Sequence, residues 1–169
     1  SSYSEGFRAP NLDQVNAEGI QRSNTRTDYY RCQAQLVLNQ ITSLAACGQN
    51  QGVQSVRSGS DELEAETNET FTVGLVFQPD RFIPGLTITA DYYSIQQDNV
   101  VGIAGDDLQI ILDFVARVNG TSNPLVTRAA PDADDIAFFA GSGLAPVGNI
   151  TSVADPYLNL ESRKSEGFD

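Results

Sequence analysis

Apolar and polar positions alternate strictly over TFTVGLVFQPDRFIPGLTITADYYSIQQ, residues 70–97. Phe71, Val73, Leu75 and Phe77 fall on one side of a period-two strand, and Thr70, Thr72, Gly74 and Gln78 on the other, with Val76 the exception. After PDRFIPG the alternation resumes: Leu86, Ile88, Ala90 and Tyr92 share a face opposite Thr87, Thr89, Asp91 and Tyr93. Pro79, Pro84 and Gly85 are turn formers, so the pattern predicts a hairpin. Its polar face suits water on a soluble sheet or the lumen of a barrel.

Two other stretches repeat at helical spacing. Tyr30, Ala34, Val37, Ile41 and Leu44 follow Thr27 and Asp28 as caps and precede Gly48 as a stop. Asp106 and Asp107 open a second stripe of Leu108, Ile111, Leu112, Val115 and Val118, which Gly120 would end. Apolar residues concentrate in 70–95, 34–46 and 108–118, and the remainder is rich in Asn, Gln, Ser, Thr, Gly and Asp. So much polar loop is hard to pack into one compact core. The connections run long, short, long, as in an outer-membrane barrel with long extracellular loops and short periplasmic turns.

Composition narrows the function. Hydrophobic content is 40% and net charge is −12. A chain this acidic without a basic stripe is a poor partner for nucleic acid, and it carries no polybasic patch for anionic lipid. Acidic side chains cluster at Asp61, Glu62, Glu64, Glu66 and Glu69 and again at Asp132, Asp134 and Asp135, where solubility is the default reading. PDADD at 131–135 offers carboxylates to Ca²⁺ or Mg²⁺ but lacks the glycine and distal glutamate of an EF-hand loop. No metal site, cofactor or catalytic residue is assigned: there is no histidine, and no serine or cysteine nucleophile motif. Asn68, Asn119 and Asn149 stand in glycosylation-acceptor triplets. No run of 18 apolar residues is present, which excludes a transmembrane helix but not a transmembrane strand of about 9 to 11 residues.

Cys32 and Cys47 lie 15 apart without a partner set for zinc. They are either bridged, as in an oxidising compartment, or two separate thiols. An unbroken helix would hold their Cα atoms about 22 Å apart, at about 1.5 Å per residue, whereas a disulfide tolerates no more than about 7 Å. A bridge and a continuous helix over 32–47 exclude each other.

Several segments carry a resemblance. SYSEGFRAPNLDQV at 2–15, with its Phe-Arg-Ala-Pro core, resembles a strand end leading into a loop in the barrels of TonB-dependent outer-membrane receptors. LEAETNETFTVGLVFQP at 63–79 and LTITADYYSIQQDNVVGI at 86–103 look like the next strand and its partner. PLVTR at 124–128 and YLNLESRKSEGFD at 157–169 look like a small β-element of the loop and the following downward strand. Residues 16–60 and 129–156 match no pattern of the family.

The resemblance implies a mainly β fold: a four-stranded antiparallel meander from a transmembrane barrel of about 22 strands behind an N-terminal plug. Its strands would be about 1–9, 61–78, 86–101 and 158–169. Extracellular loops with short helices would occupy about 10–60 and 102–157, and a periplasmic turn 79–85. Four strands cannot close a barrel, so the resemblance makes residues 1–169 an internal part of one, without plug, TonB box, signal peptide or closing strand. It further implies energised uptake of a scarce solute, such as a ferric siderophore, cobalamin or a saccharide, in the bacterial outer membrane. The partners would be the rest of the barrel and plug, the TonB complex through that plug, a small-molecule ligand and outer-membrane lipid. Arg8, Thr70, Thr72, Thr87, Thr89, Asp91 and Tyr93 would face the lumen or ligand route. Phe71, Val73, Leu75, Phe77, Leu86, Ile88 and Tyr92 would face lipid, Tyr92 at an interfacial girdle. The competing reading is a soluble secreted β-rich binding module whose sheet packs on the two helices.

Overall fold

Strand propensity and alternation place the longest pairing where threonine, valine and aromatic residues are densest. In the computed structural model, which describes residues 1–79 and 81–169, β4 (Glu66–Phe77) pairs antiparallel with β5 (Ile88–Asp98) from Thr67↔Asp98 down to Phe77↔Ile88. β1 (Ser2–Arg8) pairs with the other edge of β4, and β10 (Arg163–Phe168) with the other edge of β5. The result is an open sheet in the order β1-β4-β5-β10, neighbours in the order of the chain. The turn between β4 and β5 leaves one end of this sheet, and both long connections leave the other. Asp80, within the expected turn at 79–85, lies outside the described residues.

Strand limits differ from the sequence expectation where side chains intercept the backbone. The expected strand over 86–101 stops at Asp98, because Asn99 adopts a positive φ of 55°, a conformation asparagine tolerates. The chain resumes as β6 (Val101–Ile103), paired with β9 (Tyr157–Asn159). The strand expected from 158 is thus split. Asn159 donates from its side chain to the carbonyls of Glu64 and Asn99 at 3.0 and 2.7 Å, and β10 begins only at Arg163. The same asparagine accepts from the Glu64 amide at 2.9 Å, which holds 61–65 out of β4.

The long connections hold more than short helices. After α1 (Leu12–Asn16), the first supplies β2 (Ile20–Thr27), α2 (Tyr29–Val37), a 3-10 turn at Leu44–Ala46 and β3 (Asn50–Arg57). The second supplies α3 (Asp106–Val118), β7 (Val126–Arg128), α4 (Ala133–Phe139) and β8 (Ile150–Ala154). β3 and β8 pair in parallel, joining the two connections into a second sheet of order β2-β3-β8-β7. Polar composition does not prevent a core here. Val53, Ile110, Val126, Ile150 and Val153 form one buried cluster, and Tyr30, Ala34, Phe139 and Val147 another.

The helix expected through both cysteines is broken. α2 ends at Val37, Asn39 takes a positive φ of 57°, and the chain turns back so that Cys32 and Cys47 form a disulfide with Cα atoms 5.6 Å apart. α3 is inverted relative to its amphipathic pattern. Asp106, Gln109, Ile110 and Asp113 are buried, while Leu108, Leu112, Val115 and Val118 are 45 to 48% exposed.

Candidate functional site

Cross-strand register gathers the polar residues of four strands on one side of the barrel-type sheet. Arg8 faces Glu66 and donates to it at 2.8 Å, and the same carboxylate oxygen accepts the Val101 amide at 2.7 Å. Below this pair Thr70 and Thr72 are half-buried, with the Thr72 hydroxyl 2.6 Å from that of Ser2. Thr89, Asp91 and Tyr93 stand opposite Val76, Gly74 and Thr72, which puts them on this face too. Thr87 lies outside β5, where its hydroxyl accepts from the Gln78 side chain at 3.3 Å. Two glycines let these side chains lie flat: a Cβ on Gly74 would collide with the Asp91 carboxylate, and one on Gly167 would come within 2.7 Å of the Tyr93 hydroxyl. Glu66, Asn68, Gln97, Ser165 and Arg163 share the face by register. The 70–97 alternation did not single them out, although its parity, carried back to 66, holds for Glu66 and Asn68.

The opposite face divides along the strands. Phe71, Val73, Leu75, Phe77 and Ile88 are 40 to 70% exposed there. Leu86 precedes β5 in the turn. Tyr3, Phe71, Tyr92 and Phe168 form an aromatic belt across all four strands, with ring centroids 6.5 Å apart for Phe71 and Tyr92 and 4.9 Å for Tyr92 and Phe168. The two tyrosine hydroxyls donate toward the loop end of the sheet, to Glu5 at 2.7 Å and Glu166 at 3.3 Å. Beyond that belt the face carries Glu5, Glu69, Gln96, Lys164 and Glu166, with Phe7 exposed among them.

The two connections are locked by ion pairs that no local pattern announces. Asp28 caps α2 by accepting the Tyr30 and Arg31 amides, and it also accepts both terminal nitrogens of Arg128, at 2.6 and 2.9 Å. Arg128 Nε reaches Asp113 at 2.9 Å, and Asp113 accepts Arg117 at 2.8 Å. Asp28 and Asp113 are fully buried. Burial pushes the Arg128 guanidinium down, but the two carboxylates outweigh it and hold its pKa above the usual value. Burial likewise pushes Asp106 up, yet hydrogen bonds from Arg26 and Asn24 leave its carboxyl below the ordinary aspartate range. Asp135 is held low chiefly by Arg31, 2.7 Å away, and by the Asp132 amide. Two of the three PDADD carboxylates are therefore engaged: Asp132 and Asp135 form the capping box of α4, and Asp135 also pairs with Arg31.

A family model described as TonB dependent receptor-like, beta-barrel matches residues 1–124. No curated protein and no solved structure matches the chain.

Proposed function

This chain belongs to the TonB-dependent receptor-like β-barrel family, and on that premise we propose that it forms part of the wall and outer mouth of a bacterial outer-membrane receptor. The family is one of transporters rather than enzymes. The receptor would take up a scarce solute, a ferric siderophore, cobalamin or a saccharide, with energy delivered by the TonB complex through the plug. The observation that carries the reading is the two-sidedness of β1, β4, β5 and β10. Polar side chains from Arg8 to Asp91 share the face assigned to the lumen, and Phe71 to Phe77 the face assigned to lipid.

The aromatic belt of Tyr3, Phe71, Tyr92 and Phe168 fits the outer interface of a bilayer, where amphipathic rings put their hydroxyls at headgroup level. The turn, carrying exposed Phe82 and Ile83, fits the periplasmic side. A soluble binding module would leave this band in water, and contiguous apolar surface on that scale marks a partner. The test is uptake of labelled siderophore, cobalamin and oligosaccharide by cells with and without the receptor gene, before and after collapse of the proton gradient. Gene-dependent, gradient-dependent uptake of one class supports the reading, and a receptor recovered outside the outer membrane would sink it.

A further inference from the structure

α3 packs inward through Asp106, Gln109 and Asp113 together with Ile110 and Phe114. Asp106 pairs with Arg26, and Asp113 with Arg117 and Arg128, so the ion network draws that face into the core. The stripe of Leu108, Leu112, Val115 and Val118 is left outward, each residue nearly half exposed. An apolar stripe of three turns on a well-anchored helix marks a contact surface. At its N-terminal end it runs into a groove of about 780 Å³, where Leu108 meets Val100, Leu158 and Leu160 beside Arg163 and Lys164.

We propose that this stripe and groove are the docking face for the neighbouring barrel strand and its loop, the strand that hydrogen-bonds to the free edge of β10. The proposal rests on the receptor reading. Among the described residues β10 has a partner on one edge only, and a strand edge inside a membrane must be paired. An antiparallel partner on that edge rises past Phe168 and Arg163 toward Leu160, one wall of the groove, and delivers its loop beside Leu108. Charges of both signs flank the apolar wall. Glu161, Arg163 and Lys164 border the groove, and Glu5, Glu69 and Glu166 lie between the aromatic belt and the loop end of the sheet.

Photo-crosslinking in the intact receptor in outer membranes tests this, with p-benzoylphenylalanine at Leu112. The expected adduct is intramolecular and maps to the strand or loop paired with β10. An adduct to lipid, to a second copy or to another protein overturns the proposal, as does the absence of any adduct. A second readout guards against misfolding. Val115→Cys should react with an impermeant maleimide on whole cells at least tenfold more slowly than Ile136→Cys, although the two sites are similarly exposed here, at 48 and 54%. Equal rates overturn it. The same photoprobe at Leu75 separates the two readings, since loss of its lipid adduct counts against the membrane assignment and not against the docking face.

Discussion

The barrel-type sheet and the module built from the two long connections solve opposite problems. No residue of β1, β4, β5 or β10 is buried, and most of their large apolar side chains share one face, with Val76 and Ile95 on the other. The module has buried valines and isoleucines, a disulfide and buried arginine–aspartate pairs. On the proposed reading lipid supplies the apolar contact of the sheet, whereas the module supplies its own. The difference teaches that connections of this length become a structural unit once they pair with each other, here through β3 and β8. Within that unit the ion cluster fixes which surfaces meet rather than adding much net stability, because desolvation offsets most of its attraction.

The sharpest way to break the comparison is Arg128→Met, which leaves Asp28 buried without a counter-charge and Asp113 with Arg117 alone. A loss of about 3–5 kcal/mol is expected, read as faster hydrogen exchange in α2, α3 and β7 with β4 and β5 unchanged. Equal acceleration in both regions would show that they unfold as one. Replacing Cys32 and Cys47 together with alanine opens a link spanning 15 residues and should cost about 3 kcal/mol, again confined to the module and measured by thermal unfolding with and without reductant.

The sheet answers to a different perturbation. Leu75→Arg on the apolar face should cost about 2–4 kcal/mol if it lies at mid-bilayer, seen as less heat-resistant folded receptor on a gel, whereas Thr72→Arg on the polar face should change little. Matching losses at both positions would overturn the assignment of faces.

Acid acts more gradually on the module. Asp106 and Asp135 have pKa values below the ordinary aspartate value of 3.8. Their stabilisation is therefore complete above that value and is lost as pH falls through their depressed folded values. Module exchange should rise in that acid window and stay flat from pH 5 to 7. Asp132→Ala removes the α4 cap for about 1 kcal/mol, visible as local exchange at Asp134 and Asp135, and is the smallest effect expected.

How much was legible in the sequence follows the same division. Period-two alternation alone puts Phe71, Val73, Leu75 and Phe77 opposite Thr70 and Thr72, because the pleat turns sequence parity into faces. It also finds the hairpin, since β4 and β5 are neighbours in the chain. The ends of those strands were not legible: Asn159 intercepts Glu64 and Asn99 from more than fifty residues away. Asp28, Asp113 and Arg128 lie 85 and 15 residues apart in sequence order, so no window holds them together, and only the tertiary fold makes them one cluster. The α3 stripe misleads for the same reason. Its pattern correctly marks an amphipathic helix, but which face turns inward depends on what the rest of the chain presents, and here arginines from β2 and β7 draw the carboxylate side in. Local periodicity determined the β4–β5 hairpin, the start of α2 and the whole of α3; long-range pairing of charge, cysteine and strand edge decided the remaining strands and how the elements are joined, because those interactions act through space between residues that the sequence keeps apart.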